Sequence, residues 1–224
     1  MRANLVRSAR KAQYTRGEEI FSMVSHIVGG AVGITAVALC VIMAALHHNP
    51  YGVVGAAIFG AMMILYYCMS SIYHGLYAYL AAKRVFRVLT GCASYLLIAG
   101  TYTPIALCTL REQSTALGWT YFGIVWGIAV AGVLLNALAL EKCRILSVIL
   151  YAALWWSVLL TAGRLYGVLG VCGFTLLFSG IVSYTAGIVF FIFEKKHAYL
   201  HSVGHLFILA GSVLHFLCIL FFVL

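Results

Sequence analysis

The chain of 224 residues contains no aspartate. Its acids are five glutamates, Glu18, Glu19, Glu112, Glu141 and Glu194, set against 14 lysines and arginines. Charged residues make up only 8% of the chain, whereas a soluble domain carries about a quarter. So little polar surface cannot cover a globule in water, which excludes a soluble protein and leaves an integral membrane protein. None of the seven cysteines forms a CxxC pair, and nearly all lie in apolar segments. They read as small packing residues, with no disulfide framework. No basic patch interleaved with aromatics is present, so the net charge of +9 does not point to nucleic acid.

What the sequence does have is long uncharged runs. Residues 20–82 carry no charge and are interrupted only by "HHNPYG" at 47–52. Residues 88–110 and 113–140 are each one uncharged run. Residues 145–193 hold a single charge, Arg164, near a "YGVLG" turn that divides the run into two helices, and 197–224 form the last run. At about 20 residues per crossing, these lengths predict an all-α bundle of seven transmembrane helices. The apolar runs are continuous, whereas the strands of a membrane barrel alternate. The first run follows a basic head, residues 1–19, and is about twice the 7–15 residues of a signal-peptide core. It reads as a retained span, so residues 20–224 form one transmembrane domain.

Seven crossings put the ends of the chain on opposite sides. With the N-terminus cytoplasmic, twelve basic residues fall inside: Arg2, Arg7, Arg10, Lys11, Arg16, Lys83, Arg84, Arg87, Lys142, Arg144, Lys195 and Lys196. Only Arg111 and Arg164 fall outside. This is the positive-inside bias of a membrane protein, and it accounts for the net charge. It predicts a cytoplasmic N-terminus and an outer C-terminus, in a cell membrane such as the bacterial plasma membrane.

The histidines acquire depths from this topology. His47 and His48 fall in the first outer turn, as solvated residues. His26, His74, His201 and His205 share the inner half of the membrane. His74 precedes Lys83 by nine residues, which places it about 14 Å from the inner end of the second helix if that helix runs on. His201 and His205 are four apart and share a helix face, so they can address one object, with His74 as a third ligand. Three imidazoles with an open position suit a catalytic zinc, and a closed four-ligand shell suits a structural one. Ser70, four residues before His74, can orient a ring or contact water at such a site. His215 lies about 15 Å further out than His205 and is turned away from it by about 80°. Pro104 in "GTYTP" predicts a bend, with Thr101 or Thr103 satisfying freed carbonyls. Trp155 and Trp156, deep in a span, read as packing residues.

The stretches "EEIFSMVSH" (18–26), "SSIYH" (70–74), "YLLIAGTYTP" (95–104) and "HSVGHLFILAGSVLHF" (201–216), in this order and at these spacings, resemble the hemolysin III family of the progestin and adipoQ receptor superfamily. The resemblance covers nearly the whole chain. It implies one zinc held by His74, His201 and His205 near the cytoplasmic face, with Ser70 in the same site. It also implies kinship to membrane hydrolases of lipid amides such as alkaline ceramidases. One motif departs. Where the family has Asp-His at the inner start of the third helix, this chain has Thr90 and Gly91. A threonine cannot take up a proton as that carboxylate would, and Glu18, Glu19 and Glu194 are the inner-side acids that remain. Glu19 and His26 also fall at family-like positions. Their plain readings are a helix N-terminal acid and an interhelical hydrogen bond.

Three readings follow. The first is a zinc-bearing lipid amide hydrolase weakened by Thr90. The second is a non-enzymatic sensor or regulator with zinc as a clamp between helices. The third is a cytolysin, as the family name suggests, although the polar residues cluster at one depth and a pore calls for a stripe. The partners expected are the lipid bilayer and a lipid substrate or ligand.

Overall fold

The computed structural model describes residues 14–139, 144–194 and 196–224. The described residues form a helical membrane bundle with no strand among them. Helix α1 spans Arg16–Leu46 and α2 spans Pro50–Gly75. Helix α3, Ala81–Pro104, runs on through a wider π-helical turn, Ile105–Leu110, into Arg111–Gln113. Helix α4 is Thr115–Ala139 and α5 is Arg144–Trp156. A 3-10 turn, Ser157–Thr161, joins α5 to α6, Ala162–Phe193. The last helix, α7, is Leu200–Cys218 and ends in a π-helical turn, Ile219–Val223.

Local chemistry sets the first boundaries. Thr15 caps α1 in a capping box: Glu18 N donates to Thr15 Oγ1 at 3.3 Å, and Thr15 N donates to the Glu18 carboxylate at 2.8 Å. The "HHNPYG" turn works as the sequence suggests. Asn49 accepts from Gly52 N at 2.8 Å, and Pro50 opens α2. Glycines then allow α1 and α2 to lie close. A Cβ at Gly29 would overlap the Tyr67 ring, and one at Gly60 would overlap Val37. After Pro104, α3 widens into the π-helical turn, while Thr101 and Thr103 donate to the Leu97 and Ala99 carbonyls at 2.8 and 2.7 Å.

Among the described residues, six continuous helical stretches are long and apolar enough to cross a membrane, where the sequence reading had seven separate helices. The difference lies in one stretch, Ile145–Phe193, of 49 residues. It does not run straight. Gly170 has φ +64° and ψ −174°, a conformation essentially reserved for glycine. Ring pairs on either side of it meet: Trp155 stacks on Tyr184 at 3.8 Å, and Tyr166 approaches Phe174 at 5.6 Å. In one straight helix, 29 residues of separation would put Trp155 and Tyr184 about 43 Å apart. The stretch is a hairpin that folds back near Gly170: α5, the 3-10 turn and the part of α6 before Gly170 form one arm, and the rest of α6 forms the other. Helical turns flank the glycine closely on both sides, so the chain reverses there without a separate loop.

The direction of the outer helices agrees with the hairpin. Near their starts, α1 and α7 meet through Tyr199 N to Glu18 Oε1 at 2.7 Å and through Ser22 and Ser202 at 3.0 Å. Near their ends they meet through His47 Nδ1 and Leu224 O at 2.7 Å. The two helices therefore run parallel. Arg16, Lys83 and Arg87 lie at the end where α1 and α7 begin, joined to it through Tyr77, Glu19 and the wall beside His74. Arg111 lies at the opposite end with His47, His48 and Leu224. Residues Arg2, Arg7, Arg10, Lys11, Lys142 and Lys195, on which much of the charge asymmetry rests, lie outside the described residues.

One depth needs correction. Helix α2 stops at Gly75, and the chain turns through 76–80 before α3 begins at Ala81. His74 is thus the last residue but one of α2, not a residue 14 Å inside it. The uncharged stretch continued to Lys83, but absence of charge shows only that a segment tolerates an apolar setting. It does not show that the segment is helical.

Candidate metal centre

Three helices bring the inner histidines together. Helix α1 supplies Glu19 and His26, α2 supplies Ser70 and His74, and α7 supplies His201 and His205. The spacing of four within Ser70/His74 and within His201/His205 keeps each pair on one helix face. His74 Nε2 lies 3.1 Å from His205 Nε2, and His205 Nε2 lies 2.9 Å from His201 Nε2. The neighbourhood of α2 and α7, which spacing alone left open, is also fixed by Tyr67 and Ser212, whose hydroxyls are 2.7 Å apart.

The outer nitrogens decide what these rings present to one another. His74 Nδ1 meets Glu19 Oε2 at 2.8 Å, and His201 Nδ1 meets Glu194 Oε2 at 2.8 Å. An ionised carboxylate only accepts, so both Nδ1 atoms carry the hydrogen and donate. In the neutral rings, the Nε2 atoms of His74 and His201 are then bare lone pairs, and both are aimed at His205 Nε2. A single N–H there cannot satisfy two acceptors well. Its own Nδ1, fully buried, has no hydrogen-bond partner among the described residues. Converging imidazole lone pairs with their far N–H groups tied to carboxylates are the donor set of a metal site. Nitrogens about 2.0–2.1 Å from a tetrahedral zinc lie about 3.3 Å apart, close to the two separations from His205 Nε2.

His26 adds a fourth ring to the group. His26, His74 and His205 are three buried histidines whose ligand atoms lie within 4.8 Å of one another, close enough to hold a metal ion. His26 packs edge-on against His205 at 4.4 Å between centroids. Its Nε2 is engaged with Ser70 Oγ at 2.9 Å, which is the interhelical hydrogen bond expected of it, and its Nδ1 is buried without a partner. Ser70 therefore holds His26 rather than His74.

The two carboxylates are held in turn. Lys83 Nζ reaches Glu19 Oε1 at 2.5 Å and the Leu76 carbonyl at 3.0 Å. The Tyr14 hydroxyl donates to Glu194 Oε2 at 2.9 Å. Glu18 is spent on the cap of α1 and on Tyr199 N. Sequence spacing assigns none of these roles, because Glu19 and His74 lie 55 residues apart. The scarcity of acids was the available signal. A chain with five glutamates that buries Glu18 and Glu19 at one end is using them.

Thr90 stands on α3 and, with Ser70, His74, His201 and His205, lines one cavity of about 670 Å³. Its hydroxyl is buried without a partner. Across the cavity, Asn136 donates to Tyr151 at 2.8 Å, and Tyr151 donates to the Gly91 carbonyl at 2.8 Å. Tyr66, Trp155, Tyr184 and Ile208 also face this space. His215 is not part of the group. Its Nε2 donates to the Leu177 carbonyl at 2.9 Å. Trp155 is a packing residue, stacked on Tyr184, and it also borders the cavity. Trp156 is held by Thr185 at 3.2 Å.

Comparison with known proteins agrees with the motifs. The family described as Haemolysin-III related matches residues 14–216. Hemolysin-3 of Bacillus cereus is 35% identical over 215 residues, covering 96% of this chain and 95% of that protein. The Hemolysin-3 homolog of Bacillus subtilis (strain 168) is 34% identical over 209 residues, covering 93% and 96%. With its helical membrane bundle and its histidine cluster in place, this multi-pass membrane protein belongs to the haemolysin-III related family.

Proposed function

We propose that the chain is a zinc protein of the bacterial plasma membrane whose site is a weakened form of a lipid amide hydrolase centre. The observation that carries this reading is the convergence of Nε2 atoms from His74, His201 and His205, with the Nδ1–H groups of His74 and His201 fixed on Glu19 and Glu194. Neutral imidazoles of this kind suit zinc. A zinc ion held there would polarise a carbonyl and lower the pKa of water. The protein's own share is positioning. Glu19 and Glu194 set the tautomers and aim the rings. The cavity, with Trp155, Tyr184 and Ile208 on its walls, offers a volume of the size that holds a small ligand or part of a lipid.

The weak point is proton transfer. Glu19 and Glu194 are each committed to an imidazole. Thr90, where the related hydrolases carry Asp, lines the cavity with a hydroxyl that cannot take up a proton at neutral pH. General acid–base help contributes about 10²–10⁴-fold. The test is turnover of ceramide-like lipids by the natural chain and by Thr90→Asp at equal zinc content. We expect slow or no turnover by the natural chain and a gain of about 10²–10⁴-fold in the variant. Fast turnover by the natural chain would show that another base serves. No gain from Thr90→Asp would favour the second reading, a regulator in which zinc clamps α2 to α7. That reading has its own support in the engagement of both carboxylates. Lysis, which the name of the relatives attaches to them, is decided for this chain by dye release from vesicles.

A further inference from the structure

The two carboxylates that aim the histidines are anchored differently. Glu19 is held from within the bundle by Lys83 of α3. Glu194 is held by Tyr14, which precedes the cap of α1 by one residue. Tyr14 also lays its ring flat on His201, with centroids 4.1 Å apart and planes 20° apart. Phe191 approaches His201 at 5.1 Å. His201, the second residue of α7, keeps 13% of its side chain exposed. Tyr14 also belongs to the wall of the cavity. A single side chain therefore covers the most accessible of the three ligands and bonds the carboxylate that orients it.

The same residue lies outside the helix it precedes. Helix α1 starts at Arg16 under its own capping box, and Glu18 ties that start to Tyr199 N. Moving the Tyr14 side chain aside breaks, among its contacts, the ring stack on His201 and the hydrogen bond to Glu194. It breaks no bond in the ladder of α1. The anchor is the capped helix, and the cover is a residue beyond its cap.

We infer that Tyr14 is a strap over the metal centre, controlling how fast zinc enters and leaves through the His201 end. This rests on the zinc reading above. Passage of the ion requires the Tyr14 ring to swing off His201, and on closing, the hydroxyl restores Glu194 to the orientation that aims His201. A strap changes loading and release together. A residue that merely strengthened the site would slow release without slowing loading.

The test is zinc exchange in the purified full-length chain in proteoliposomes, with a zinc chelator for release and added Zn²⁺ for loading. In Tyr14→Ala, both rates should rise severalfold by a common factor, so that affinity changes by far less than the about 10–100-fold that loss of a ligand's supporting partner produces. Tyr14→Phe keeps the ring and loses the hydroxyl, and should accelerate exchange by a smaller factor. Tyr79→Ala, at a tyrosine 75% exposed, should behave as the natural chain does. Faster release with unchanged loading in Tyr14→Ala would overturn the strap, and so would unchanged rates in both directions. Natural protein that takes up no zinc would instead defeat the metal reading itself. Intrinsic fluorescence melts of each variant separate a change in exchange from loss of fold.

Discussion

His205 and His215 sit ten residues apart on the same helix. Both are buried, at 6% and 0% exposure, and each has an Nδ1 without a partner. Their surroundings differ in one respect. His205 Nε2 faces the nitrogens of two further histidines whose far sides already donate to carboxylates. His215 Nε2 faces a backbone carbonyl, in a slot beside the stacked rings of Trp155 and Tyr184. An N–H satisfies a carbonyl, so the Nε2 of His215 is fully served by Leu177. One N–H on His205 cannot satisfy both ring nitrogens that face it, and this buried cluster is close enough to hold a metal ion. Burial and residue type are shared, and the number of acceptors facing Nε2, two against one, makes the difference.

The largest effect should come from breaking this contrast at the ligand. His205→Ala should lower zinc affinity by more than about 100-fold, beyond the 10–100-fold typical of a supporting residue. His215→Ala should leave zinc content as it is. Elemental analysis of both purified variants checks this, and equal zinc in the two would collapse the distinction. A smaller effect is expected one step out. Glu19→Gln removes the charge that fixes the His74 tautomer and strands Lys83. It should weaken zinc binding by about 10-fold, measured by competition with a chelator. Affinity unchanged in Glu19→Gln would mean that the His74 ring is aimed by packing alone.

The other pole can be disturbed without touching the metal. A Cβ at Gly180 would overlap the His215 ring, so Gly180→Ala should destabilise the bundle by about 1–3 kcal/mol at constant zinc stoichiometry. The smallest effect is that of His215→Phe, which keeps an aromatic ring in the slot and loses one hydrogen bond, about 1 kcal/mol. Thermal unfolding in detergent, with zinc measured on the same samples, ranks the two. Loss of zinc in Gly180→Ala would show that the two ends of α7 are coupled.

Much of this was readable along the chain. Long uncharged runs must be membrane spans, since lipid demands segments that satisfy their own backbone hydrogen bonds and a chain with 8% charge has no other solvent to face. The turn at Asn49 and Pro50, the His201/His205 pair and the Ser70/His74 pair follow from local rules of helix start and helix face. Each depends on residues within four positions of one another, a range over which helix geometry is fixed. The bundle decided the rest. Where α2 ends was not set by charge, whereas the fold-back at Gly170 falls in the "YGVLG" turn that the sequence marks. Ser70 went to His26 rather than to His74. Glu19 reached His74, Glu194 reached His201, and Tyr14 closed over both Glu194 and His201, through contacts that link different elements of the chain. Sequence supplied the histidines of the cluster, because the capacity to bind a metal is a property of the residue. Only tertiary packing could supply the carboxylates that fix their protons, because a hydrogen bond between helices depends on which faces the folded bundle brings within 3 Å.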